Sequence, residues 1–396
     1  MTRPHLVLVN AIHGKSGGGR IHLAEVLPRL ARMGDPDVRY LVLARPEQAP
    51  ELRATGVGVR VVHAPQHFAL SFLWDQVALP LLALRLRAGL VFSPANYGPW
   101  LLGRRCLLLV RTTFDAAESW ASRRKKVYWR LQVTVARWSV HTARGGMVVS
   151  ETFRREVAPR LGIPESWLVV NHHGHAAAFR PQPEPGDAAA APPGRYLLVV
   201  ADLYPHKNLE RLLDAVAEVR RTHPDLGLCV VGAALLSDYA ARLRARAAAL
   251  GFGEETFKGA LPQRALPPLY RRAAAVLCLS LAESFGMAQL EAMACGAPLV
   301  VSELPVFREI SGDAAVYADP TDARSMARAI AAVLDDRALA ARLSGSGRAR
   351  AARFTWDRSA RALHDEVRRR LGLPPLAAQT AEAGLLRSAS TVTWNA

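Results

Sequence analysis

The stretch with the most chemical promise is residues 283–298, ESFGMAQLEAMACGAP, which holds two carboxylates, Glu283 and Glu291, with seven residues between them. An apolar run over 275–281 leads into it and reads as a strand. Phe285 and Gly286 make a turn, and a helix follows through Met287, Leu290, Met293 and Ala294. Gly296 and Pro298 end that helix before the apolar run 299–301. A strand, loop, helix and strand in this order build a parallel sheet covered by helices. Glu283 then stands at the carboxyl end of a strand, where open α/β sheets place their ligands. Glu291 lies about one and a half turns inside the helix, at about 3.6 residues per turn. Between them come the N–H groups of Phe285, Gly286 and Met287, and a helix N-terminus attracts phosphate. Hydroxyl contact, anion cradle, hydroxyl contact is the order required by a sugar joined through a diphosphate to a nucleoside. The plainer alternative, two solvated helix charges, fits poorly for a glutamate that directly follows a buried strand.

The stretch resembles the Glu-x7-Glu signature of the retaining glycosyltransferases of family 4, commonly E-G-F-G-x-x-x-x-E-A-M-A-x-G-x-P, with Ser284 where glycine is commoner. The loop 202–208, DLYPHKN, resembles the phosphate-binding loop of that family and makes Lys207 its lysine. Asp202 and Leu203 stand where the family often has an arginine, which leaves His206 to supply part of that charge. Phe307-Arg308-Glu309-Ile310 and Gly312-Asp313-Ala314-Ala315 also look like the family. The likeness covers residues 1–370, strongly in the second half and weakly in the first.

The resemblance implies an α/β chain of the GT-B type, two facing Rossmann-like domains with a cleft between them. Residues 1–182 would bind the acceptor and 195–355 the nucleotide-sugar, joined by the Pro/Ala/Gly linker 183–194. A helix over 356–371 would cross back to the first domain, and 372–396 would form a mobile tail. Glu283 and Lys207 take the catalytic roles, with Lys207 meeting the charge that develops on the leaving diphosphate. Glu291, Phe285, Gly286, Met287, Leu290, His206 and Asn208 would hold the donor. Gly17, Gly18, Asn96, Arg111, Asp115, His173 and Gly174 would line the acceptor side. Many relatives carry a histidine with an aspartate in the loop after the fifth strand; here Arg111, Thr112, Thr113, Phe114 and Asp115 stand there, so Arg111 or Asp115 inherits those contacts. No metal and no cofactor are implied; the donor, such as GDP- or UDP-hexose, is a substrate. The expected activity is transfer of a mannose-, glucose- or rhamnose-type hexose, with retention, to a glycan or lipid-linked acceptor. Same-face attack is the implied route, with double displacement through a glutamate as the other. A sugar-nucleotide epimerase and a non-catalytic binder of nucleotide-sugar or nucleic acid remain as alternative classes.

The elements that position these residues follow from patterning. Half of the 396 residues are hydrophobic and 21% charged, enough for two packed domains. No signal-peptide pattern opens the chain and no run reaches about 18 uncharged apolar residues. Four widely spaced cysteines suggest buried, reduced thiols and a cytoplasmic location. Residues 1–180 carry 25 lysines and arginines against 11 acids, while the rest carry 26 against 23. The lopsided excess suggests an anionic acceptor or an anionic membrane surface at the inner face of the plasma membrane; nucleic acid is a less favoured partner.

Strands are predicted over 6–10, 40–43, 59–62, 90–92, 107–111, 147–150, 169–171, 196–200, 228–231 and 256–257. Helices are predicted over 21–33, 73–86, 120–142, 209–221, 237–250, 266–273 and 357–370. The glycines of AIHGKSGGGR allow close backbone approach to a ligand, while the P-loop and dinucleotide spacings both fail. Asp35-Pro36-Asp37 spells a metal-binding D-x-D but sits in a helix-to-strand turn, so a structural role is expected. The basic helix over 120–142 carries a stripe of Val127, Leu131, Val135 and Trp138, expected to pack on the sheet with its charges solvated. His172, His173 and His175 form only a weak zinc pattern.

Overall fold

A computed structural model describes residues 3–13, 17–113, 123–187 and 191–376. The first domain is a seven-stranded parallel sheet: β1 His5–Asn10, β2 Val38–Ala44, β3 Gly58–Val61, β4 Leu90–Ser93, β5 Cys106–Val110, β6 Gly146–Val148 and β7 Leu168–Val170. Its order is β3-β2-β1-β4-β5-β6-β7. The second has six: β8 Tyr196–Val200, β9 Gly227–Val231, β10 Phe257–Gly259, β11 Ala275–Cys278, β12 Leu299–Ser302 and β13 Val316–Ala318. Its order, β10-β9-β8-β11-β12-β13, repeats the same winding. Every pair is parallel, as continuous apolar strands covered on both faces require. In each sheet the strand order reverses between the first and fourth strands, which opens the crevice where such folds bind ligands.

Helices cover both sheets. The helix after β1 runs Gly17–Arg32, so the glycines form its first turn, where a loop and a start at 21 were expected. The single helix expected over 73–86 is two, Phe68–Gln76 and Ala78–Arg85, broken at Val77. Helix Arg123–Ala143 corrects a further expectation. Of its predicted stripe only Val135 is buried, whereas Val127, Leu131 and Trp138 are more than half exposed. The face turned to the domain is instead Gln132, Val135, Ala136, Ser139, Val140 and Ala143. Small residues let this helix lie close to the sheet, and that closeness turns the large apolar side chains outward. Helices Ala323–Asp335 and Arg337–Ala351, which the sequence reading passed over, complete the second domain.

The last helix, Trp356–Leu371, returns to the first domain. Its Arg368 is fully buried and pairs with Asp35 and Asp37, the residues that spell D-x-D, so these carboxylates hold a helix. Tyr40 Oη lies 2.7 Å from His364 Nδ1, and Arg370 Nη1 donates to the carbonyls of Cys106 (3.0 Å) and Ala143 (2.8 Å). On the linker, Asp187 forms a buried pair with Arg271 at 2.6 Å. The residues expected as a tail lie, from 377 onward, outside the described residues, as does Asp115.

Candidate active site

One cavity of about 360 Å³ is lined from both domains. The second domain supplies the exits of β8 and β11, the adjacent strands at its order reversal. Lys207 ends a short helical turn, Pro205–Lys207, after β8. Asn208 follows with φ +59°, and its Nδ2 donates to the carbonyls of Leu279 (3.1 Å) and Pro320 (2.8 Å). The Leu281 N–H donates to the His206 carbonyl at 2.7 Å. These bonds tie the loop to the exit of β11 and bring Lys207 Nζ onto Glu283 Oε1, which also accepts from Ser280 Oγ at 3.3 Å. Asn208 thus acts by shaping the loop.

Gly286 opens helix Met287–Cys295 with φ +84°, a conformation that disfavours a side chain. Gln289 holds the turn: its Nε2 donates to the Phe285 carbonyl at 2.7 Å, and Ser311 Oγ donates to its Oε1 at 2.6 Å. Phe285, Gly286 and Met287 line the cavity there. Leu290 does not: it is fully buried in the core, because the helix turns that face to the sheet. His206 is outside the lining as well. Burial, then the neighbouring Lys207, pushes its imidazole down to about 4, so the charge expected of it is missing at neutral pH. Asp202 accepts the Ala233 N–H at 2.8 Å and Leu203 is buried, so neither replaces the family arginine.

Glu291 sits behind this wall, 4% exposed. Tyr270 Oη donates to one carboxylate oxygen at 2.8 Å and Gln263 Nε2 to the other at 2.7 Å. Burial pushes the carboxyl up to about 7 against these two bonds. Neither partner carries a recognisable sequence signal.

The first domain's wall is Gly18, Gly19, Arg111, Thr112 and His173. Gly19, unmarked in the sequence reading, matters sterically: a Cβ there would lie 2.2 Å from Arg111 Nη2. Asn96 Oδ1 accepts the N–H of Arg111 (3.0 Å) and of Thr112 (3.3 Å), and its Nδ2 donates to Thr112 Oγ1 (2.6 Å). Asn96 therefore fixes the exit of β5. His173 is buried against Phe285, Trp356 and His22, with ring centroids 5.2, 5.3 and 5.5 Å away. Burial, followed by His22 and Arg111, holds its imidazole well below the ordinary range. A Cβ on Gly174 would lie 2.0 Å from the Trp356 nitrogen, so glycine lets this loop press on the returning helix. The three histidines of this loop part: His172 goes to Glu309, His173 to the cavity and His175 to a bridge with Thr355.

Beside the cavity the domains are clasped. Glu309 accepts the N–H of Glu151 (2.8 Å) and of Thr152 (2.7 Å), which open helix Glu151–Leu161, and lies 2.8 Å from His172 Nε2. Ser150 Oγ donates to the Ser284 carbonyl at 2.7 Å. Although burial alone would raise the Glu309 carboxyl, these bonds hold it down at about 2. Among the described residues no three metal-ligating side chains gather.

The arrangement offers a lysine–carboxylate pair and a helix start on one wall, and a guanidinium with an imidazole on the other. The model of the glycosyl transferases group 1 matches residues 185–350. A D-inositol 3-phosphate glycosyltransferase of Acidothermus cellulolyticus is 30% identical over 401 residues, 89% of this chain and 88% of that one. Sucrose-phosphate synthase from Thermosynechococcus elongatus shares the fold with a TM-score of 0.74 at 20% identity, over 92% of this chain and 98% of that one. Anabaena HepE, solved with UDP-glucose, does so at 0.72 and 18%, over 91% and 99%. The chain belongs to the group 1 glycosyltransferases and has their GT-B fold.

Proposed function

We propose that the chain moves a hexose of mannose, glucose or rhamnose type from a nucleoside-diphosphate donor to an anionic or lipid-linked acceptor, with retention and without a metal. The observation that carries this is the single cavity in which Lys207, Glu283 and the start of helix Met287–Cys295 face a wall from the other domain. Lys207 and the helix N-terminus would meet the diphosphate, and their charge counts most as the bond to the leaving group breaks. Glu283 would hold sugar hydroxyls near the reacting carbon. Glu291 would hold the ribose, which would take the place of the Gln263 amide. HepE with UDP-glucose supports a nucleotide-sugar donor, and the relative named for D-inositol 3-phosphate supports a phosphorylated acceptor. Purified protein given UDP- or GDP-hexose and a lipid-diphosphate-linked sugar should release nucleotide only with acceptor present and form a product of unchanged anomeric configuration. Release without acceptor, or an inverted product, contradicts the reading.

The acceptor would be met at an anionic bilayer. Leu70, Leu73, Val77, Leu81, Leu84, Leu101, Val127, Leu131 and Trp138 are each at least half exposed. Ring contacts from Phe72 to Trp100 (5.5 Å) and from Trp100 to Trp138 (6.5 Å) join the helices that carry them. Lys126, Arg130 and Arg137 are exposed on the same helix as Trp138. An apolar face with basic neighbours suits the interface of an anionic membrane. Vesicles containing anionic lipid should retain the protein at low salt, and Leu131→Ser with Trp138→Ser should release it. Equal retention by neutral vesicles would contradict the proposal.

A further inference from the structure

A second cavity, of about 390 Å³, lies at the opposite edge of the first sheet and is lined by Arg104, Ala143, Arg144, Trp167, Arg369 and Arg370. Arg104, Arg144 and Trp167 come just before β5, β6 and β7, whereas the active-site cavity takes Arg111 and Thr112 from just after β5. The five residues of β5, at about 3.3 Å each, set the two about 16 Å apart. Among the described residues no carboxylate lines this cavity, and four guanidiniums do.

Two of the four are held by the fold. The buried Glu366 accepts from Arg369 Nε and Nη2, both at 2.7 Å, and from Arg370 Nε at 2.9 Å. Arg370 also donates to the carbonyls that end helix Arg123–Ala143 and begin β5. Arg104 and Arg144 are exposed, and neither has a carboxylate partner among the described residues. Arg144 has φ +55°, a region that residues with a side chain rarely adopt. Its guanidinium carbon lies 5.8 Å from the centre of the Trp167 ring. Gly145 follows with φ +123°, and a Cβ there would lie 2.2 Å from the Trp167 carbonyl oxygen, so this turn is pressed onto the start of β7. Four guanidiniums against one carboxylate leave a strong positive excess in a concave space, which focuses the field on an incoming anion.

We infer that this cavity is a second anion site, separate from the transfer cleft, for a ligand that carries a phosphate or diphosphate group. Arg369 and Arg370 are pre-set by Glu366, and Arg104 and Arg144 close on the oxyanion through paired N–H bonds. The phosphate belongs either to a soluble ligand or to a lipid headgroup; helix Arg123–Ala143, which carries the exposed Leu131 and Trp138, ends at this cavity.

Calorimetry on the full chain with pyrophosphate tests the site. Pyrophosphate also suits the cleft, so Lys207→Ala is titrated beside Arg104→Gln/Arg144→Gln. A binding event that Lys207→Ala keeps and the double Gln variant weakens about 10–100-fold is expected, the range for charge-assisted hydrogen bonds. Arg104→Lys/Arg144→Lys should keep part of it, and Arg324→Gln/Arg328→Gln, which removes the same charge from helix Ala323–Asp335, should keep all of it. Vesicles of phosphatidylcholine with and without phosphatidic acid separate the two sources. Retention by phosphatidic acid that pyrophosphate displaces and the double Gln variant loses assigns the site to a headgroup. Retention unchanged in that variant, with pyrophosphate binding lost, assigns it to a soluble phosphate. Wild-type protein that binds neither probe overturns the inference. So do a double Gln variant that binds both as wild type does and an equal loss in Arg324→Gln/Arg328→Gln.

Discussion

The two walls of the cavity share a sheet order and differ in how their polar groups are spent. On the second domain's wall Lys207 has Glu283, Gln289 is bonded at both ends, Asn208 ties two loops and both oxygens of Glu291 are occupied. On the first domain's side Arg111 Nη1 and His173 Nδ1 at the cavity, and both ring nitrogens of His22 and Nε1 of Trp356 packed against His173, are buried without partners. Buried polar groups are normally satisfied, so this cluster of exceptions separates the two sides. The second domain's wall is held by bonds within the chain, whereas the first domain's side leaves buried polar atoms without partners. Preorganised charge is what catalysis needs at the bond that breaks.

The largest expected effect comes from the second domain's wall. Lys207→Ala should lower kcat by about 10²–10³-fold, the usual scale for losing one preorganised charge contact, and Glu283→Gln should approach it. Steady-state rates check this; an effect under about tenfold would place the chemistry elsewhere.

Next comes Glu291→Gln. Nucleotide affinity should fall about 10-fold, read by calorimetry, since the amide cannot accept at both oxygens. The same variant carries a pH signature. The Glu291 carboxyl is raised to about 7 in the fold, so its stabilising share is full below its unfolded value and is lost as pH rises through about 7. Replacement by Gln should therefore flatten the stability decline between pH 4.5, the ordinary carboxyl value, and about pH 7, by on the order of 1–3 kcal/mol.

Glu309→Ala should act on the join between domains more than on chemistry. Its carboxyl is depressed to about 2, so its contribution is present above the unfolded value and is lost as pH falls through about 2. Thermal melts should show a loss of about 2 kcal/mol at neutral pH and a shallower acid limb below about pH 5. An unchanged acid limb would mean that the clasp does not form in solution. The smallest effect is expected from chelators: EDTA should leave the rate unchanged, and loss restored by Mg²⁺ or Mn²⁺ would refute a metal-free route.

The same division governs what could be read from the chain alone. Residues 283–298 are local: strand end, turn, carboxylate and helix lie within one contiguous stretch, so spacing alone places them. Lys207 was legible through the resemblance of its loop, DLYPHKN, to the family's phosphate-binding loop, and the structure adds that this loop leaves the strand beside β11. The partners of Glu291 were hidden, since Tyr270 and Gln263 reach it from 21 and 28 residues away. Leu290 was read as donor-facing because spacing does not say which helical face meets the sheet. The stripe of helix Arg123–Ala143 failed for the same reason: apolar periodicity pointed inward, while small residues won the closer packing. Asp35 and Asp37 were expected to be structural, and both pair with Arg368, which lies more than 300 residues on and could not be foreseen.

The central claim is that the second domain binds the donor and the first receives the acceptor. Calorimetric titration with UDP, GDP and TDP against wild type, Glu291→Ala and a first-domain variant neutralising Arg123, Arg124, Lys125 and Lys126 tests it most directly. Saturable binding of one nucleotide is predicted for wild type and for the neutralised variant alike, and a loss of about tenfold or more for Glu291→Ala. Full affinity in Glu291→Ala, or loss of nucleotide binding on neutralising the basic helix, would contradict the account.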